Sequence, residues 1–264
     1  MVQSTRSLLN KRVLIRLAKE HGIPLDVINH QETPEERQKR KEKEERELTA
    51  QFLRQEKQQF LRRCSLVDSR KEFRKTFSQL DQNSSPEYKQ AARKVVGELI
   101  PAWLDGGTGN LLLVGKPGVG KTLLAICTVN RLNEANQSDK TFKPLFISMA
   151  RLKDVIMRSR LEHDERASNA VHCVMSAVNK ANLIVLDDLG AESDMSRNGG
   201  AYQTVKEALL QIAKRYDEIP YILTSNLDTD GIVRLYGDRI ADRLVPKKNG
   251  TVIRLTKTDS HRGV

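Results

Sequence analysis

The sequence predicts an α/β fold in which a five-stranded parallel sheet is covered by helices and preceded by a helical N-terminal extension. Five short apolar runs are separated by helical or loop segments, which is typical of parallel strands joined by crossover connections. Most of the runs are continuously apolar, as expected for strands that are covered on both faces. The predicted strands are Leu111–Val114, Pro144–Ser148, Leu183–Leu186, Tyr221–Thr224 and Thr251–Leu255.

The N-terminal third is predicted to be helical, charged and largely solvent-exposed. Apolar residues within 5–20 repeat at helical spacing, and Glu and Lys or Arg residues within 34–63 stand four apart, which supports a helix without burial. A linker over 64–85 follows, and Ser85 and Pro86 are the expected N-cap and first residue of a new helix. We therefore divide the chain into a helical, charged region 1–63, the linker 64–85 and a main domain 86–264.

The net charge and composition of the chain favour some classes of protein and argue against others. The 264 residues carry a formal net charge of +11, and residues 1–76 hold 19 basic and 12 acidic side chains, a net of +7. Such an excess favours an anionic partner, most often nucleic acid, and a solvated charged helix is the alternative. No apolar run approaches the roughly 20 residues of a membrane span, which argues against a membrane protein.

The number and spacing of the cysteines indicate the cellular compartment of the protein. Three cysteines without a C-x-x-C pair argue against a disulfide framework and predict a cytoplasmic protein. The basic, acid-free stretch 1–19 fits an ordinary amphipathic helix or an organelle presequence.

A glycine-rich turn follows the first predicted strand and opens a helix, which is the context of a phosphate-binding loop. Its glycines let backbone N–H groups converge on phosphate oxygens, and the helix N-terminus adds partial positive charge. Lys121 would place its charge at the outer phosphates, and Thr122 would offer its hydroxyl to Mg²⁺. A chance glycine-rich turn is the alternative, which the complete motif disfavours. The predicted triphosphate-binding residues are Gly115, Lys116, Pro117, Gly118, Val119, Gly120, Lys121 and Thr122.

Polar residues end two other predicted strands. Asp187 is the predicted Mg²⁺ carboxylate, acting through water, and Asp188 would orient or deprotonate an attacking water. A pair of helix-capping acids is the alternative. If the fourth strand lies between the first and third, Asn226 would emerge beside both motifs and hold the water or the γ-phosphate. An ordinary turn former is the alternative for this residue.

Two arginines near the C-terminus are candidates for γ-phosphate contacts. Arg239 and Arg243 stand four residues apart and hence on one helical face. Either they reach a γ-phosphate, or they belong to an exposed salt-bridged helix turn. Spacing alone leaves both interpretations open.

With these motifs in order, the sequence resembles the AAA+ ATPases, and more narrowly the DnaC/DnaI-type loaders of replicative helicases and the related IstB-type transposition helpers. The resemblance covers about residues 73–264. It rests on the phosphate loop together with Phe77, 186–190, 224–226, 237–244 and 260–262.

The resemblance implies a P-loop AAA+ core without a full C-terminal lid, with the sensor strand between the two Walker strands. It carries the sensor 1 role onto Asn226, an arginine finger onto Arg243 with Arg239 as its neighbour, and sensor 2 onto Arg262. ATP and Mg²⁺ are the implied cofactors. Because a finger acts on the neighbouring subunit, ATP-dependent homo-oligomerisation is implied as well.

Helicase loading is the leading function that the resemblance implies. Residues 1–63 would bind a hexameric replicative helicase, and the ATPase face would bind single-stranded DNA weakly. Slow, switch-like hydrolysis is expected because Asp188 stands where most AAA+ enzymes have Glu. The alternatives are a transposition helper that acts on duplex DNA and a nucleotide-dependent adaptor that does not hydrolyse ATP. The expected DNA contacts are Arg151, Lys153, Arg158, Arg160 and Arg166.

Overall fold

The structure is a computed structural model that describes residues 16, 33–69, 73–79, 85–134, 142–191 and 200–255, with backbone only at 53–58, 200 and 201. The chain forms two compact units, Met1–Phe52 and Leu53–Val264. Apart from Arg16, the helix predicted over 5–20 lies outside the described residues. The division at residues 63 and 85 stays a prediction.

The long charged helix is present as α1, Pro34–Cys64. A capping box starts it: the backbone N–H of Thr33 donates to Glu36, and the N–H of Glu36 donates to the Thr33 hydroxyl. Ion pairs at four-residue spacing line its surface, as between Arg40 and Glu44 at 3.7 Å. Local capping and charge pairs therefore account for a helix whose first half is exposed.

A second helical stretch begins where the sequence predicts. Ser85 accepts a hydrogen bond from the N–H of Tyr88, and Pro86 is the first residue of α2, Pro86–Lys94. A π-helical turn, Val95–Leu99, continues into α3, Ile100–Leu104. The wider π-helical turn precedes Pro101, which lacks an N–H and would clash with the carbonyl four residues back in an α-helix. Pro101 therefore adapts the helix rather than ending it.

The predicted five-stranded parallel sheet is confirmed. Its strands run in the order β2-β3-β4-β1-β5, and every pair of neighbours is parallel. β4 thus lies between β1 and β3, which is the strand order expected to bring Asn226 beside the phosphate loop and the two acidic residues. The strands are β1 Leu111–Gly115, β2 Pro144–Ser148, β3 Leu183–Leu189, β4 Tyr221–Ser225 and β5 Thr251–Leu255.

In the part of the chain that the structure describes, six further α-helices connect or follow the strands. They are α4 Lys121–Glu134, α5 Met149–Leu161, α6 Glu165–Val178, α7 Gly200–Ile212, α8 Thr229–Tyr236 and α9 Asp238–Leu244. Alternate strand residues enter two separate cores, so that Leu112 and Leu186 face one layer and Leu113 and Val185 the other. This two-sided burial explains why the strand sequences are continuously apolar.

Part of the predicted linker covers the edge of the sheet. The N–H of Leu66 donates to the carbonyl of Phe146 at 2.9 Å, and the N–H of Ser148 donates to the carbonyl of Leu66 at 2.8 Å. Phe73 also packs edge-on against Phe146. The edge of β2 is therefore paired rather than open.

Within the described ranges, no helix combines the length and the apolar character that a membrane crossing requires.

Candidate nucleotide-binding site

The phosphate loop connects the end of β1 with the start of α4. Gly118 and Gly120 adopt positive φ angles of 86° and 91°, which side chains rarely tolerate. At Gly115, a Cβ would lie 2.3 Å from the carbonyl oxygen of Leu255 in β5. The glycines of the motif thus allow a backbone path that other residues would obstruct.

Tyr88 of α2 packs against this loop and hydrogen-bonds to it. Its hydroxyl donates to the carbonyl of Gly120 at 3.2 Å, and a Cβ at Gly120 would lie only 2.6 Å from the ring of Tyr88. No local sequence pattern predicts this contact, because Tyr88 and Gly120 are 32 residues apart. The contact adds a long-range support to the loop.

Lys121 holds a buried positive charge at the centre of the site, with 6% of its surface exposed. Its Nζ donates to the carbonyls of Gly115 and Lys116 at 2.8 and 3.0 Å, and to Oδ1 of Asn226 at 2.8 Å. Burial lowers the pKa of Lys121, and the charges of Asp188 and Asp187 counteract that effect. A buried ammonium group bonded to uncharged oxygens is suited to receive an anion such as a phosphate group.

Asp187 lies opposite the loop near the carboxyl end of β3. Its Oδ1 accepts a hydrogen bond of 2.6 Å from the Thr224 hydroxyl, and Thr122 also bonds to this carboxylate. Burial raises the pKa of Asp187 to about 6, against the opposing effects of Thr224, Thr122 and Lys121. A carboxylate beside a threonine hydroxyl is a set of oxygen donors that fits Mg²⁺.

Asp187→Asn is expected to stabilise the nucleotide-free protein. The folded-state pKa of Asp187, about 6, lies above its usual value of 3.8, so the native chain binds this proton more tightly than the unfolded chain does. The contribution of Asp187 to stability therefore falls as the pH rises from about 4 to 6 and stays unfavourable above that range. Removing the charge should raise the free energy of unfolding at pH 7.5 by about 1–3 kcal/mol.

Urea denaturation without nucleotide or Mg²⁺, at pH 7.5 and pH 5, measures this effect. Asp105→Asn, at an exposed carboxylate, is the matched control. An Asp187→Asn protein that is less stable than the wild type at pH 7.5 would contradict the explanation.

A bulge in β3 presents the second carboxylate. Residues 186 and 189 pair with 223 and 225, so Asp187 and Asp188 together oppose the single residue Thr224. Asp188 adopts a left-handed φ of 58°, and its Oδ1 lies 3.4 Å from the Nδ2 of Asn226. Asn226 therefore contacts both Lys121 and Asp188. The structure thus brings together the phosphate loop, Asp187, Asp188 and Asn226.

Arg243 lies at the opposite end of the sheet. Nδ2 of Asn110, the residue before β1, donates to the carbonyls of Arg243 and Leu244, and the guanidinium of Arg243 lies 5.7 Å from the centre of the Tyr216 ring. Among the described residues, its buried Nη1 has no hydrogen-bond partner. The length of β1, about 16 Å for five residues, separates this end from the phosphate loop of the same chain. Arg243 therefore does not join the cluster around Lys121.

The other predicted arginines differ in their placement. Arg239 is exposed one helical turn before Arg243 on α9, and Arg262 lies outside the described residues.

The predicted DNA contacts on α5 and α6 are partly neutralised. Arg151 pairs with Asp68 and with Asp154, each at 3.6 Å. Arg158 pairs with Asp154 at 3.8 Å and with Asp164. Lys153 is half-buried, and Arg160 and Arg166 are exposed. The free positive charge on this surface is therefore smaller than the arginine count suggests.

The chain is similar to known ATP-binding proteins. A family model described as IstB-like ATP binding protein matches residues 31–262. A protein from Pseudomonas aeruginosa named as the ATP-binding protein of insertion sequence IS21 is 29% identical over 234 residues, which cover 86% of this chain and 78% of that protein.

Two solved structures share the fold. The crystal structure of DnaI has a TM-score of 0.50 and 20% identity, and the match covers 74% of this chain and 95% of that one. A primosome component from Streptococcus pyogenes serotype M3 has a TM-score of 0.50 and 18% identity, with 75% and 96% of the two chains covered. At these identities the two structures support the fold alone.

Proposed function

The chain belongs to the family of IstB-like ATP-binding proteins, and from this premise we propose that it is an ATPase that helps a transposition system to act on duplex DNA. Two sequence comparisons support this choice: the matching family model is described as IstB-like, and the relative is named as an insertion-sequence protein. The family match begins at residue 31 and so includes all of α1. The family match thus extends beyond the AAA+ core into the region expected to select a partner.

The site chemistry supports ATP hydrolysis. The loop glycines would cradle the triphosphate, and Lys121 would exchange its neutral oxygen partners for phosphate oxygens. Asp187 and Thr122 would hold Mg²⁺, which neutralises charge on the outer phosphates when bound. Asp188 would accept a proton from the attacking water while the Asn226 amide fixes that carboxylate. We expect slow turnover because the short Asp188 side chain positions water less closely than Glu would.

Self-assembly would complete the site. Arg243 lies at the end of the sheet remote from its own phosphate loop, and this position supports a role at the site of a neighbouring subunit. An arginine at a γ-phosphate is a strong contributor to hydrolysis. We therefore propose an ATP-dependent homo-oligomer in which Arg243 acts in trans and Arg262 contributes as sensor 2.

Helicase loading is the second candidate function. It rests on the sequence motifs, which resemble those of the DnaC/DnaI-type loaders. In that role residues 1–63 would bind a hexameric replicative helicase, and the ATPase face would bind single-stranded DNA.

DNA binding and helicase capture by the full chain separate the two candidates. We expect ATP-dependent binding that favours duplex over single-stranded DNA, weakens as salt is raised, and is absent in Lys121→Ala. Phosphate release measured with and without DNA identifies an adaptor that does not hydrolyse ATP. A preference for single strands together with retention of a hexameric helicase would overturn the transposition-helper proposal in favour of the loader.

A further inference from the structure

We infer that Thr224 is a positioning residue that sets the geometry of both carboxylates, Asp187 and Asp188. The inference rests on the proposed ATPase function and extends it to a residue outside the proposed phosphate and Mg²⁺ ligands. Thr224 lies in β4 and is fully buried. A buried threonine needs hydrogen-bond partners for its hydroxyl.

The hydroxyl of Thr224 connects the two acidic residues. It donates to Oδ1 of Asp187 at 2.6 Å and accepts from the backbone N–H of Asp188 at 2.8 Å. The direction of both bonds is fixed, because an N–H can only donate and the single hydroxyl proton is then left for the carboxylate. One oxygen of Asp187 is thus held, which limits rotation of the carboxylate.

The same hydroxyl supports the unusual backbone of Asp188. The bulge removes regular strand pairing at this point, and Asp188 takes the left-handed φ of 58°. A non-glycine residue holds such a conformation only where its surroundings determine it. The bond from the Asp188 N–H to Thr224 replaces the missing strand pairing and so aims the Asp188 side chain.

The last residue of β4 and the residue after it continue the pattern. Ser225 Oγ donates to the carbonyl of Leu189 at 2.6 Å, and the Asn226 amide lies beside Asp188. The three consecutive residues 224–226 therefore hold the three consecutive residues 187–189. Of these contacts, the Thr224 contact alone reaches the carboxylate expected to hold Mg²⁺.

The test compares Thr224→Val, which removes the hydroxyl at nearly constant shape, with Thr224→Ser, which keeps it. Thr128→Val is the matched control, since it removes another buried hydroxyl, which donates to the carbonyl of Leu124 within α4. Measurements are the affinity for a fluorescent ATP analogue with Mg²⁺ and with EDTA, kcat and KM for ATP, and the thermal unfolding midpoint.

In EDTA, Thr224→Val should bind the analogue as tightly as the wild type does. With Mg²⁺, its affinity should be about 10–100-fold lower than that of the wild type, which is the range typical of groups that orient metal ligands. Its kcat should fall by a similar factor with KM changed less. Thr224→Ser and Thr128→Val should stay within about threefold of the wild type in the same assays.

If Thr224→Val and Thr224→Ser have the same Mg²⁺-dependent affinity and the same kcat, the inference is wrong. The ATPase proposal would not be affected by that result. A wild-type protein that binds no ATP would instead refute the ATPase proposal itself. A low unfolding midpoint in Thr224→Val with affinity lost equally in EDTA would assign Thr224 a structural role, which also overturns the inference.

Discussion

Lys121→Ala is expected to weaken ATP binding by about two to three orders of magnitude in Kd. The Lys121 ammonium is buried and donates to two loop carbonyls and to Asn226, at the position where the motif places the outer phosphates. Charge-assisted hydrogen bonds to phosphate in a poorly solvated site are strong, and alanine replaces none of them. Equilibrium titration with a fluorescent ATP analogue measures the loss.

Lys214→Ala is the matched control for this experiment. Lys214 is exposed in a short 3₁₀-helix, Ala213–Arg215, so its removal changes the net charge equally without altering the loop. We expect its Kd to stay within about twofold of the wild type, as for surface substitutions in general. If Lys121→Ala bound ATP as tightly as Lys214→Ala does, Lys121 would not be a phosphate ligand.

Arg243→Ala is expected to reduce ATP hydrolysis by about 10³–10⁵-fold while leaving ATP affinity within a few-fold of the wild type. The reason is positional: Arg243 packs on Tyr216 at the end of the sheet remote from its own loop, so its removal leaves the binding residues of that chain in place. Phosphate release and nucleotide titration on the same preparation separate the two effects. Arg239→Ala, one turn earlier on the same helix, should cause a smaller loss.

Mixing two inactive variants tests whether Arg243 acts on a neighbour. Lys121→Ala lacks the phosphate ligand but keeps Arg243, and Arg243→Ala has the opposite defect. In a mixed oligomer, the intact loop of one subunit faces the intact arginine of the other, and part of the activity should return. If both variants fold and assemble but their mixture stays inactive, Arg243 has no role in trans.

The strands and the phosphate loop could be predicted from the sequence because their signals are local. Continuous apolar runs mark strands with two covered faces, and the glycine pattern before Lys121 has one dominant structural solution. The cap at Ser85 is equally local, since side chain and backbone partners are three residues apart.

Contacts between distant segments could not be predicted in this way. Tyr88 meets Gly120 across 32 residues, and Thr224 meets Asp187 across 37. The bulge at Asp187 and Asp188 depends on how β3 pairs with β4, which the strand sequences alone do not reveal. Leu66 pairs with β2 although its surroundings are typical of a linker.

The most direct test is a crystal structure of the full chain with a non-hydrolysable ATP analogue and Mg²⁺. We expect the triphosphate along residues 115–122, the ammonium of Lys121 turned from its backbone acceptors to phosphate oxygens, and the metal between Thr122 and Asp187. The account would be contradicted if the nucleotide bound elsewhere. It would also be contradicted if the Lys121 ammonium kept all three of its present partners beside the bound phosphates.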